Sequence, residues 1–212
     1  MVQNNSAKLF AVGLAVTLLF ATLASAIPTN GDFSAGLTDW TVEYGTVTDG
    51  GGFALFSEDA LSLSSTLSRT FNLPSKAAEL SFDIVMSSEA GGDYDPFSWP
   101  DAFTASLLDP VTLDPLIFNP GFTEFYYLDN TGYEDTVAMV AGNRVSLDVS
   151  TLAGQDVFLS FDLWGGLDGM LTNVLLDNVN VSVIPAPAAI VLGLIGTGLV
   201  GLYRKLLPDR KT

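Results

Sequence analysis

Three aspartates, Asp93, Asp95 and Asp101, crowd into one short stretch of the chain with Tyr94, Phe97 and Trp99 set between them. Closely spaced carboxylate oxygens are the donors that hard cations such as Ca²⁺ prefer. Exposed aromatic faces stack on sugar rings while a neighbouring carboxylate takes the hydroxyls. The spacing differs from the Asp-x-Asp-x-Asp-Gly of an EF-hand loop, and an acidic surface loop with its aromatics tucked beneath is the alternative reading. Other chemistries are closed off by composition. The chain has no cysteine and no histidine, which removes thiol nucleophiles, Ser-His-Asp triads, ordinary zinc sites and disulfides. Carboxylate pairs for glycoside hydrolysis are formally available, but no pair stands out among so many acids.

The charge is uneven along the chain. Five of the eight basic residues, Lys8, Arg204, Lys205, Arg210 and Lys211, lie near the two ends. Between residues 27 and 184 only Arg69, Lys76 and Arg144 stand against 23 acidic side chains, a net charge of −20. Such a surface repels nucleic-acid phosphates and anionic membranes.

The elements that must position these groups read as strands. Leu80, Phe82, Ile84 and Met86 alternate with polar residues, as do Phe103, Ala105 and Leu107, then Val145, Leu147 and Val149. Val157, Leu159, Phe161 and Leu163 do the same, followed by Val179, Val181 and Val183. Strict alternation marks half-buried strands. Gly, Asp, Asn and Pro clusters at 49–52, 91–93, 119–121, 129–132 and 165–169 punctuate them as turns. The opening stretch Asn30–Trp40 is turn-rich and offers Phe33 and Trp40 as core anchors. No helical stripe interrupts the pattern. The fold class expected for residues 27–184 is therefore all-β, an antiparallel β-sandwich of the jelly-roll kind.

Both ends carry another kind of information. Residues 1–26 join Lys8, an apolar run from Leu9 to Leu23 and the small-x-small Ala24-Ser25-Ala26, the pattern of a secretory signal peptide cleaved after Ala26. At the other end, residues 188–203 are uncharged and apolar on every side. As a helix they would span roughly 24 Å. Arg204 and Lys205 follow at once, a basic cluster that positive-inside bias places in the cytoplasm. The expectation is one short transmembrane segment holding the β domain on the outer side of a membrane.

Pro185-Ala186-Pro187, the glycine-rich apolar run and the basic close resemble the PEP-CTERM sorting signal of exopolysaccharide-producing bacteria. That resemblance covers about residues 183–205, with alanine where the family usually has glutamate. It implies recognition near Pro185–Pro187 by an exosortase, a membrane protease, and passage to the cell surface or biofilm matrix. Asn30-Gly31-Asp32-Phe33 through Trp40, with the closing Leu175-Leu176-Asp177-Asn178-Val179, resembles the first and last strands of carbohydrate-binding, galactose-binding-like jelly rolls. The resemblance implies that these two strands pair, and that a structural Ca²⁺ joins them through Asp177 and a glutamate whose place is taken here by Ser34. Asp32 is the substitute ligand. Asp177 capping backbone N–H groups at a strand start is an equal reading. Taken together, the expectation is a non-catalytic exported protein that associates with exopolysaccharide. A structural or adhesive protein binding other proteins or itself is the alternative, and a matrix-sugar hydrolase the third.

Overall fold

The computed structural model describes residues 28–58, 63–90, 99–166 and 170–183. The expected signal peptide at 1–26, the sorting motif Pro185-Ala186-Pro187, the apolar run 188–203, Arg204 and Lys205 lie outside the described residues. So do Asp93, Tyr94, Asp95 and Phe97.

Among the described residues thirteen strands run in order: β1 (Thr41–Tyr44), β2 (Thr46–Asp49), β3 (Ala54–Ser57), β4 (Ser64–Asn72), β5 (Ala77–Ala90), β6 (Ala102–Leu108), β7 (Pro115–Ile117), β8 (Tyr126–Asp129), β9 (Glu134–Thr136), β10 (Met139–Ala141), β11 (Arg144–Asp148), β12 (Asp156–Trp164) and β13 (Met170–Val183). They form two antiparallel sheets. One runs β1-β4-β12-β6-β8-β9, with β7 on β6; the other runs β10-β11-β5-β13-β3-β2. The five alternating segments read from sequence are β5, β6, β11, β12 and β13.

Alternation puts one face of each sheet into a shared core. Leu67, Phe103, Ala105, Leu107, Val157, Leu159 and Phe161 come from the first sheet, and Phe56, Leu80, Phe82, Val174 and Leu176 from the second; all are fully buried. Aromatic rings bridge the sheets. Phe82 meets Phe161 edge-on at 5.1 Å between centroids, and Phe56 meets Phe103 at 5.6 Å. Edge-to-face rings at these distances add to the area they bury.

The opening segment is no strand. Asn30, Phe33, Gly36 and Asp39 all have positive φ, between 50° and 69°, a conformation no β-ladder accepts. The chain instead winds through successive turns, and Asn30 fastens them by donating from its side chain to the carbonyls of Gly36 and Thr38. This places Phe33 and Trp40 in the core as expected, their rings 5.4 Å apart. The pairing implied for the two ends of the domain is reduced to one backbone bond. At Asn178, with φ of 52°, β13 slips register against β5, and Val179 N–H bonds the Gly31 carbonyl at 2.8 Å. A Cβ on Gly31 would lie 1.8 Å from the Val179 oxygen, so only glycine permits this docking.

Two substitutions test this packing by urea unfolding. Phe161→Ala is expected to cost about 3–5 kcal/mol as a buried aromatic lost from a filled core, and Gly31→Ala about 2 kcal/mol through backbone overpacking. An unchanged midpoint for Gly31→Ala contradicts the docking of the opening segment on β13.

Candidate functional site

The same alternation that buries Phe161 turns Ser160 and Asp162 to the opposite face of the first sheet. Register then aligns two cross-strand rows. In one, Thr66 on β4, Asp162 on β12, Thr104 on β6, Tyr127 on β8 and Asp135 on β9 stand side by side. In the other, Ser68, Ser160 and Ser106 do the same. These short hydroxyl side chains point away from the core, yet Thr104 is only 3% and Ser160 only 7% exposed. Taller residues stand around them. Tyr44 lies opposite Thr66, Phe158 and Trp164 flank the rows along β12, and Tyr127 lies opposite Thr104. The result is a floor of hydroxyls and a carboxylate below a rim of rings.

The rim is thickest beside β8. Phe122 and Tyr127 have centroids 6.4 Å apart, Tyr127 and Tyr133 6.1 Å apart. Tyr127 is half-buried, while Phe122 and Tyr133 are exposed. On the opposite side, the irregularity of β1 between Val42 and Tyr44 brings Glu43 to this face, where it accepts a hydrogen bond from Ser68 Oγ at 2.5 Å. Asp135 accepts from Asn119.

Asp162 is the electrostatic centre. Burial raises its pKa because desolvation disfavours the charged form. Hydrogen bonds from Thr66 Oγ1 at 2.5 Å and Ser160 Oγ at 2.9 Å oppose the rise, and the charges of Glu43 and Glu124 add to it. The Tyr127 phenol is pushed up chiefly by burial, then by Asp129, Tyr133 and Glu124. Among the described residues no cation faces this surface. Arg69 lies 5.8 Å over the Trp40 ring and bonds Thr29, Lys76 sits in the β4–β5 connection, and Arg144 pairs with Asp83 in the other sheet.

Of the ligand-site residues singled out from sequence, Trp99, Asp101, Asp32 and Asp177 are among the described residues. Asp101 is fully buried and holds a loop end together: it accepts from Gly166 N–H at 2.5 Å, from Asn130 Nδ2 at 3.2 Å and from Thr172 Oγ1. Trp99 is 86% exposed, and its carbonyl lies against Gly166, two residues beyond Trp164 of the rim. Asp32 is fully exposed and accepts from both the N–H and the hydroxyl of Ser34, which lowers its pKa. Asp177 accepts from Asn178 N–H at 2.6 Å. Among the described residues no group of three or more carboxylates, histidines or cysteines is arranged to hold a metal ion.

Glu43, Tyr44, Phe122, Glu124, Tyr127, Tyr133 and Asp162 were not picked out by sequence reasoning. One local signal was present. The outward positions of β12 read Phe158, Ser160, Asp162, Trp164, which sets two aromatics on the solvent side of one strand, a beginning of the exposed apolar patch that is uncommon on a protein surface.

No family model matches the sequence, and no curated protein matches it. Solved structures of similar shape include the carbohydrate-binding module TmCBM61 in complex with β-1,4-galactotriose, at TM-score 0.46 and 13% identity over 75% of this chain and 99% of that one. The enzymatically active domain of tailspike protein 4 of bacteriophage CBA120 matches at TM-score 0.41 and 12% identity, over 76% of this chain but 22% of that one. A CBM4 structure matches at TM-score 0.39 and 14% identity, over 74% and 99%.

Protonation of Asp162 gives a pH test. Its folded pKa is raised above the unfolded 3.8, so its stabilising balance is fully present below 3.8 and is lost as pH rises through the folded value. Asp162→Asn should therefore unfold at higher urea than the parent at pH 7, with the advantage vanishing as pH falls toward 3.8. The exposed Asp32, Asp109 and Asp148, whose pKa values are lowered by local hydrogen bonds, act oppositely but equally in both proteins. A parent more stable than Asp162→Asn at neutral pH contradicts the desolvation of this carboxyl.

Proposed function

We propose that this chain is an exported, non-catalytic glycan-binding protein whose ligand lies across the outer face of the first sheet. The observation that carries the reading is the Thr66–Asp162–Thr104–Tyr127 row beside the ring trio Phe122, Tyr127 and Tyr133. Sugars present apolar C–H faces and a fringe of hydroxyls, and sites for such ligands combine aromatic walls with a few fixed polar groups. Here the fixed groups are held before a ligand arrives. Thr66 and Ser160 orient Asp162, Ser68 orients Glu43, and Asn119 orients Asp135. Groups already ordered lose less freedom on binding.

The ends of the chain support the wider setting. Residues 1–26 fit export, and residues 185–212 fit anchoring followed by exosortase-type processing, with the β domain in the periplasm and then at the cell surface or in the matrix. An exopolysaccharide is the ligand such a location offers.

The purified full chain, screened by affinity electrophoresis against soluble polysaccharides, tests the reading. Covering one ring face removes about 60 Å² of apolar surface, worth about 1.5 kcal/mol or roughly tenfold in affinity. Tyr127→Ala and Tyr133→Ala are each expected to weaken retention by that factor. Retention that survives both substitutions places the ligand elsewhere. Release of reducing ends that stops in Asp162→Asn replaces the binding reading with a hydrolase.

A further inference from the structure

We infer that the outer face sorts glycans by charge, refusing those that carry acidic groups, and that Glu43 and Glu124 set this selectivity. The inference rests on the glycan-binding reading of that face and names the class of ligand it admits.

Every charged side chain described on this surface has the same sign. Glu43 reaches the floor through Ser68, and Asp135 closes the far end of the Asp162 row. Glu124 is close enough to act on both Asp162 and Tyr127. Arg69 is engaged over Trp40 and Arg144 on Asp83, and Lys76 lies in the β4–β5 connection, past the Asn72 end of β4 rather than in either row. A uronate, sulfate or pyruvyl group laid across the hydroxyl floor would therefore meet acceptors with no counter-charge. Its desolvation would go uncompensated, and like charges facing each other across an interface cost several kcal/mol. A sugar hydroxyl meets the opposite situation. It donates to Asp162, Glu43 or Asp135 and accepts from Thr104, Ser106 or Asn119. Acceptor-rich carboxylates held on a water-shaded floor thus suit a ligand whose polar groups are hydroxyls. The flanking glutamates matter most, because they are the ones that a charged substituent projecting from the sugar ring would meet first.

Matched ligands separate charge from shape. The full chain is tested against β-glucan, β-galactan and mannan, each native and partially carboxymethylated, by affinity electrophoresis. At least one native polymer is expected to be retained and its carboxymethylated form to bind roughly tenfold more weakly at low salt, a gap that narrows at about 0.5 M NaCl as charges are screened. Glu43→Gln combined with Glu124→Gln should narrow the gap between the two forms. Glu79→Gln combined with Glu89→Gln, on β5 in the other sheet, should leave the gap as it was. Equal retention of native and carboxymethylated forms overturns the inference. So does a gap unmoved by the first pair, or closed equally by the second, which assigns the effect to net charge. Retention of no polymer in either form overturns the glycan-binding reading itself.

Discussion

The contact between Phe161 and Phe82 across the two sheets is the constraint on which the rest depends. Phe161 sits on the central β12, with Phe103 and Trp40 also within about 6 Å between centroids. Because side chains alternate along a strand, seating this ring in the core leaves Ser160 and Asp162 no position but the outer face. A slip of one residue would put an aspartate among phenylalanines. The register that protects the core therefore also builds the outer rows.

From that register the electrostatics follow. Asp162 lies between Thr66 and Thr104 on the neighbouring strands, so its desolvation is eased by Thr66 on one side and by Ser160 of its own strand. The carboxylate is half-buried with no cation partner among the described residues, and the hydroxyls of Thr66 and Ser160 supply the hydrogen bonds that water would otherwise give. Asp101 plays the contrasting part. Also an aspartate but more deeply buried, it spends its oxygens on Gly166, Asn130 and Thr172, and so stabilises the loop end from which Trp99 and Trp164 project.

Much of the fold was legible in the sequence. Five alternating segments gave five strands, and Phe33 and Trp40 were readable as anchors of the opening turns. The four left-handed residues of that segment were less visible, since Phe33 is not a type that announces positive φ. Strand β4 escaped because its run Ser64–Asn72 is dominated by hydroxyls, with only Leu67 and Phe71 marking the inner face. The candidate site was scarcely legible. Glu43, Thr66, Thr104, Tyr127 and Asp162 are far apart in the chain, and only long-range strand pairing brings them into line. Local composition drew attention instead to the aspartates around Trp99, of which Asp101 proved to be a buried strut.

The central claim is that one face of one sheet receives a glycan. The most direct measurement is amide chemical-shift mapping of the ¹⁵N-labelled protein during titration with a retained neutral oligosaccharide. The account predicts shifts concentrated on β1, β4, β12, β6 and β8 around Tyr44, Thr66, Asp162, Thr104 and Tyr127, with β2, β3, β13, β5 and β11 silent. Shifts confined to the second sheet, or to the junction of Asn30 and Asn178, would contradict it.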